Sequence, residues 1–145
     1  MSNPRYIPRM FAVTPRLFGQ QEKLDWVDLE PDADARTRAH RSAAKTQHQI
    51  SYGVQSLYMP HSDQATITAL ASKLEVPYDR LHKVLSGRAV MQLEDIGRLR
   101  EVVGAELDEW FLRDNLRQAV RIAKAQIESV ARRQAEDRAR GHRAG

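Results

Sequence analysis

The sequence predicts an all-α protein with a Pro-rich N-terminal arm, a central helical domain and a long C-terminal helix. Four of the six prolines lie within residues 1–34, which disfavours regular helix there. From about residue 35 onward, apolar residues recur at the spacings of three and four that amphipathic helices show. Near the C-terminal end this spacing becomes a heptad pattern. The 145 residues suffice for one compact domain plus extensions.

The N-terminal arm, residues 1–35, combines aromatic side chains with an acidic patch over residues 25–34. The aromatic residues are Tyr6, Phe11, Phe18 and Trp26. The prolines and charges are typical of a solvated, disordered tail, whereas the aromatic content is typical of a segment that docks onto a core or a partner. The sequence leaves both alternatives open.

The first helix of the central domain is predicted to begin near Ala35 and to run toward Leu57, with Gly53 as a weak point. It should end before Pro60, because a residue that precedes proline is disfavoured in the helical conformation. A polar connection follows, and Thr66 is a suitable N-cap for the next helix.

Residues 66–87, TITALASKLEVPYDRLHKVLSG, have the pattern of two short helices joined by a tight turn. The predicted buried seam comprises Leu70, Ala71 and Leu74 in the first helix, Leu81, Val84 and Leu85 in the second, and Val76 between them. A small residue at position 71 lets the two backbones approach closely. The outward face of the second helix then carries Tyr78, Asp79, His82, Lys83 and Ser86. Such a polar face suits the major groove of DNA.

The same segment resembles the helix-turn-helix of the Cro/CI-type repressors, the XRE family of bacterial and phage regulators. Ala71 matches the family's small residue, Leu81 and Val84 match the apolar positions of the recognition helix, and Gly87 matches the glycine that ends it. Residues 93–111, LEDIGRLREVVGAELDEWF, are similar to the fourth and fifth helices of that domain. One departure is Glu75, which stands where the family usually has a left-handed Gly. Unless the turn is rearranged, this costs roughly 1 kcal/mol.

The resemblance implies a lambda-repressor-like helix-turn-helix domain over residues 36–111 and a sequence-specific DNA-binding transcriptional regulator. Double-stranded DNA is then the expected partner, and repression by a homodimer the expected mode of action. The candidate DNA-contacting residues lie at the start of the first motif helix, on the recognition helix and just after it: Thr66, Ile67, Tyr78, Asp79, Arg80, His82, Lys83, Ser86 and Arg88. His82 and Lys83 are expected to contact phosphates or bases, and Arg88 to contact a phosphate.

Three of these residues have alternative roles. Tyr78 could reach DNA or pack its ring on Pro77. Asp79 could accept a hydrogen bond from a cytosine amino group, but near the start of a helix it also suits the positive end of the helix dipole. Arg80 lies at the flank of the helix, where it is expected to pair with an acid or a phosphate.

Two other functions remain open. A nucleoid-type structural protein would bind DNA with little sequence preference. A protein-interaction module, such as an antitoxin or an assembly adaptor, would use its long helix to engage another protein. The salt dependence of DNA binding and the ratio of specific to nonspecific affinity would distinguish the nucleoid-type protein from a regulator. Absence of DNA binding at low salt would favour the protein-interaction module.

The C-terminal part is predicted to form two further helices. In the first, one apolar stripe comprises Leu93, Ile96, Leu99 and Val103. Gly104 is placed to end this helix in the left-handed conformation, and Asp108 to cap the next one. Residues 112–145 continue that helix and carry a heptad seam expected to hold two subunits together: Leu116, Val120, Ala123, Ile127 and Val130.

Composition and motifs argue against catalysis. The net charge of +4 is a moderate bias toward anionic partners. The absence of cysteine excludes disulfides, thiolate zinc sites and cysteine nucleophiles, and the five histidines lack metal-ligand spacing. No signal-peptide core occurs, and no apolar run approaches the roughly 20 residues that span a bilayer. We therefore expect a cytoplasmic, nucleoid-associated protein that is not an enzyme and has no metal, cofactor or membrane partner.

Overall fold

A computed structural model describes the backbone of residues 6–143 and the side chains of residues 6–110 and 119–141. Throughout this part of the chain the regular elements are helical, which confirms the all-α class. The chain divides into two compact units, with the boundary between Phe111 and Leu112.

Five α-helices run through the described residues: α1 (Ala35–Tyr52), α2 (Ile67–Leu74), α3 (Tyr78–Leu85), α4 (Leu93–Val103) and α5 (Glu106–Arg143). Shorter turns flank the first of them. Two 3₁₀ turns, Pro8–Phe11 and Pro15–Leu17, precede α1, whereas a π-helical segment, Gly53–Tyr58, and a 3₁₀ turn, Met59–His61, follow it.

The N-terminal segment, residues 6–34, packs against α1 and the end of α3. Phe18 is fully buried, and its ring meets the ring of His48 edge to face. The Gly19 N–H donates to Nδ1 of His48 at 2.9 Å, and Nε2 of the same ring lies 3.1 Å from the carbonyl oxygen of Glu22. Of the two alternatives that the sequence left open, these contacts agree with docking onto the core.

The first helix begins where the Asp34 carboxylate accepts a hydrogen bond from the Thr37 N–H at 2.8 Å. Bonds from the Thr37 side chain and backbone hold the pKa of Asp34 below its ordinary value. Regular α-helix ends at Tyr52, and Gly53 opens the π-helical segment. The Trp110 ring occupies the space beside this glycine, since a Cβ at position 53 would lie 2.3 Å from a ring carbon.

The predicted end of this helical run is wrong by one short turn. The chain stays helical as far as His61, because Met59–His61 form a 3₁₀ turn with Pro60 in its first turn. Proline is tolerated there, since the N–H that it lacks would have had no helical partner.

The predicted seam between α2 and α3 is confirmed. Its six helical positions, Leu70, Ala71, Leu74, Leu81, Val84 and Leu85, are all buried, and Val76 packs against the same core. Behind this pair, Ile50 and Val54 of the first helical run and Leu99, Leu107 and Trp110 of the last two helices complete the core. Thr66 caps α2 as predicted, since its hydroxyl oxygen accepts from the Ala69 N–H at 3.1 Å.

Two predictions for α4 and α5 are wrong. Leu93 is 85% exposed, because it is the first residue of α4 and lies beyond the edge of the core. Asp108 does not cap α5, which begins at Glu106; its carboxylate accepts from the Arg100 guanidinium at 2.7 Å instead. Gly104 ends α4 as predicted, but its φ of +86° and ψ of −154° differ from the left-handed helical conformation that was expected.

The second unit consists of the C-terminal part of α5. Among the predicted seam residues, Val120, Ala123, Ile127 and Val130 are exposed in the single chain. The side chain of Leu116 lies outside the described residues. Within the described part of the chain, no helix is both long and apolar enough to cross a membrane.

Candidate nucleic-acid interface

The turn between α2 and α3 has the geometry of a Schellman motif. Glu75 is left-handed, with φ of 57° and ψ of 44°, and is the one non-glycine residue at positive φ within residues 6–143. Its N–H donates to the Ser72 carbonyl at 3.2 Å, and the Val76 N–H donates to the Ala71 carbonyl at 3.0 Å. The turn therefore keeps the conformation that glycine favours, at a cost of about 1 kcal/mol.

The outward face of α3 presents a ring pair and an ion pair, each spanning one helical turn. The rings of Tyr78 and His82 are stacked, with centroids 5.8 Å apart. Lys83 Nζ lies 3.2 Å from the Asp79 carboxylate, and both side chains are more than half exposed. Such exposed pairs contribute only about 0.3 to 0.5 kcal/mol, so Lys83 can exchange its carboxylate for a phosphate at little cost.

Arg80 is held by the protein itself. Its guanidinium lies 2.6 Å from the Asp95 carboxylate and also donates to the Val90 carbonyl at 3.2 Å. Asp95 in turn accepts from the Gln92 N–H at 2.8 Å and so caps α4. Of the two partners expected for Arg80, the acid is the one present, and the pair fixes α3 relative to the start of α4.

Thr66 and Ile67 lie at the start of α2. Thr66 is exposed, and its hydroxyl can still donate while its oxygen caps the helix. Ile67 is partly buried and packs against the core, so little of its side chain is available to a ligand.

Gly87 follows the last turn of α3 with a φ of +75°, in the backbone region that favours glycine. It is also enclosed, since a Cβ there would lie 2.6 Å from the Phe18 ring and 2.9 Å from Cβ of Arg9. Ser86 is half-buried, and its hydroxyl donates to the Lys83 carbonyl at 3.3 Å. The side chain of Arg88, next along the chain, is exposed.

Sequence reasoning missed Gln47, which braces the loop after α3 from behind. Its Nε2 donates to the carbonyl oxygens of Val84 and Ala89, each at 2.8 Å, and its Oε1 accepts from the Met91 N–H at 2.8 Å. The side chain is buried, and all its polar atoms are used. The available signal was a polar amide three residues from Ala44 and from Ile50, on the apolar face of α1.

The candidate contacts thus separate into two groups. Tyr78, Asp79, His82 and Lys83 share the outward face of α3, and Thr66 and Arg88 are exposed on the neighbouring segments, whereas Ile67 and Arg80 serve the fold. Ser86 is half-buried at the end of α3. Across the described residues, no cluster of His, Asp and Glu could hold a metal ion. The outward face of α3 can bind a polyanion through cations and hydrogen-bonding groups.

No protein-family model, curated protein or solved structure matches this chain.

Proposed function

We propose that this protein is a sequence-specific DNA-binding transcriptional regulator with a lambda-repressor-like helix-turn-helix domain, acting as a homodimeric repressor. The observation that carries the proposal is the two-sidedness of α3. One face is buried against α2 and the core, and the other presents Tyr78, His82 and Lys83 to solvent. The B-DNA major groove, about 12 Å wide, admits a helix of this kind.

In the proposed mechanism, α3 enters the major groove, where the imidazole of His82 and the hydroxyl of Tyr78 meet base edges or phosphates. Lys83 leaves Asp79 for a phosphate, while Arg88 contacts the backbone beside the end of the helix. The Arg80 ion pair and the three bonds of Gln47 hold these groups in register. Repression follows from occupancy of the operator.

The exposed apolar residues of α5 support the dimeric part of the proposal. Val120 is 58% exposed and Ile127 is 69% exposed, and an apolar stripe of this kind is covered when two copies pair about a two-fold axis. A dimer would then read two half-sites. The same stripe equally favours the second candidate function, a module that engages a different protein.

Selection of bound duplexes from a random DNA pool tests the proposal. A regulator should return a palindromic consensus and bind it at least about a thousandfold more tightly than unrelated DNA at physiological salt. Enrichment without a consensus would favour the nucleoid-type protein. Absence of binding at low salt would overturn DNA binding altogether and favour the protein-interaction module.

Sedimentation of seam variants tests the dimer. Replacing Val120 and Ile127 together by Asp places charge in the seam and should give a folded monomer with much weaker binding to the palindrome. Ile122→Asp is the matched control, because Ile122 is an exposed apolar residue of the same helix outside the seam. An unmodified protein that sediments as a monomer while it binds DNA would contradict dimerisation through α5.

A further inference from the structure

We infer that Arg9, carried by the N-terminal segment, belongs to the DNA interface, where it and Arg88 grip the phosphate backbone beside the C-terminal end of α3. This inference rests on the proposed function. It assigns to the N-terminal segment a part in binding that the helix-turn-helix pattern alone does not give it.

The position of Arg9 is fixed by its own backbone. The Arg9 N–H donates to the Gly87 carbonyl at 2.9 Å. The Cβ of Arg9 packs so close to Gly87 that a Cβ added to the glycine would lie 2.9 Å from it. The preceding residue, Pro8, is buried. The 3₁₀ turn that begins at Pro8 is therefore held both by this burial and by the hydrogen bond from Arg9 to Gly87. Arg9 therefore lies directly against the residue that ends the recognition helix.

The guanidinium of Arg9 lacks a partner within the described part of the chain. Its Nε is buried without a hydrogen bond, whereas its two Nη atoms are not enclosed. Because Nε is enclosed, the two Nη atoms are the groups that a ligand can reach. A phosphate beside the two Nη atoms would supply oxygen acceptors in the planar, bidentate arrangement that a guanidinium matches.

Arg88 adds a second cation on the other side of Gly87. Its side chain is exposed, and among the described residues no carboxylate pairs with it. Lys83 lies one helical turn earlier, and the sole carboxylate of α3, Asp79, is already paired with it. The end of the helix is therefore cationic and holds more positive charge than the fold neutralises.

Stabilisation of the helix end is the simpler explanation for such cations, since the C-terminal end of a helix carries partial negative charge. The carbonyls at this end, however, already have donors. Gln47 donates to Val84, Gln55 donates to Leu85 at 3.3 Å, and the Arg88 N–H donates to Lys83 at 2.9 Å. The two guanidinium groups are thus not needed to satisfy the helix, which leaves them available to a ligand.

Binding measured as a function of salt tests the inference. Arg9→Gln and Arg88→Gln keep most of each side chain but remove the charge, and each should flatten the plot of log affinity against log salt by about 0.9 for each phosphate that the variant no longer neutralises. The affinity should fall equally for the selected consensus and for unrelated duplex, because phosphates carry no sequence information. Arg9→Lys should restore most of the slope.

Arg36→Gln is the control, because Arg36 is exposed at the start of α1, eleven residues and therefore about 16 Å along the helix from Gln47. Its slope should equal that of the unmodified protein. An unchanged slope for Arg9→Gln, with the unmodified protein binding normally, would overturn the inference and leave the proposed function standing. A lower melting temperature with unchanged slope would show that Arg9 serves stability alone. Absence of DNA binding by the unmodified protein would instead refute the proposed function.

Discussion

Replacement of Gln47 by Met should destabilise the protein by about 3 kcal/mol. Methionine nearly matches glutamine in volume but removes its three hydrogen bonds, to Val84, Ala89 and Met91. Each such bond contributes about 1 kcal/mol net, and a partner left unsatisfied in a buried site costs up to a few times more. The Val84 carbonyl keeps a longer hydrogen bond from the Gly87 N–H at 3.3 Å, so it is not left without a donor. We therefore expect a loss near about 1 kcal/mol for each of the three bonds and not a multiple of it.

Urea unfolding measures this loss. With a slope of about 1 to 3 kcal/mol per molar, the midpoint should fall by roughly 1 to 3 M while the slope stays unchanged. Gln49→Met is the control, since Gln49 is a partly exposed glutamine of the same helix. Its midpoint should move little. If Gln47→Met unfolds within about 0.5 kcal/mol of the unmodified protein, the claim that Gln47 braces the loop after α3 is wrong, since surface changes typically lie within that range.

Two backbone predictions concern positions at which glycine is either favoured or required. Glu75→Gly should raise the melting temperature by several degrees, because it relieves about 1 kcal/mol of left-handed strain; a lower melting temperature would contradict the Schellman geometry. Gly53→Ala should destabilise by at least about 1 to 3 kcal/mol in urea unfolding, because its Cβ would overlap the Trp110 ring. Gly97 lies in the interior of α4, and no atom lies within 4 Å of the Cβ that alanine would add there. Gly97→Ala should therefore stabilise the protein by roughly 0.5 to 1 kcal/mol. Equal effects of the two glycine substitutions would refute this contrast.

Local periodicity was sufficient to predict the seam between α2 and α3. The buried positions of each short helix repeat at intervals that the sequence displays directly, and Thr66 caps its helix through a bond that spans three residues. The Glu75 turn was harder, because its left-handed conformation conflicts with the residue's own preference and occurs between two helices whose buried faces pack together. The errors at Leu93 and Asp108 have a common cause: helix ends are decided by single residues, for which a repeating pattern gives no warning.

The contacts around Gly87 could not be read from periodicity. Arg9 and Phe18 reach it from about seventy to eighty residues earlier in the chain, and Gln47 reaches its own partners across 37 to 44 residues. Such contacts depend on the tertiary arrangement of segments that are distant in the chain, and a single sequence does not reveal that arrangement. The outward residues of α3 were therefore predictable from the local pattern, whereas the position of Arg9 beside Gly87 was not.

The hydrogen bonds around His48 determine which of its two ring nitrogens carries the proton. Because a backbone amide can only donate, the bond from Gly19 requires Nδ1 to carry a lone pair, which leaves the ring hydrogen on Nε2 to face the carbonyl of Glu22. The opposite tautomer would set two N–H groups against each other at one nitrogen and two lone pairs against each other at the second. Attachment of the N-terminal segment to α1 thus selects between two forms of a single side chain that have the same shape and the same charge.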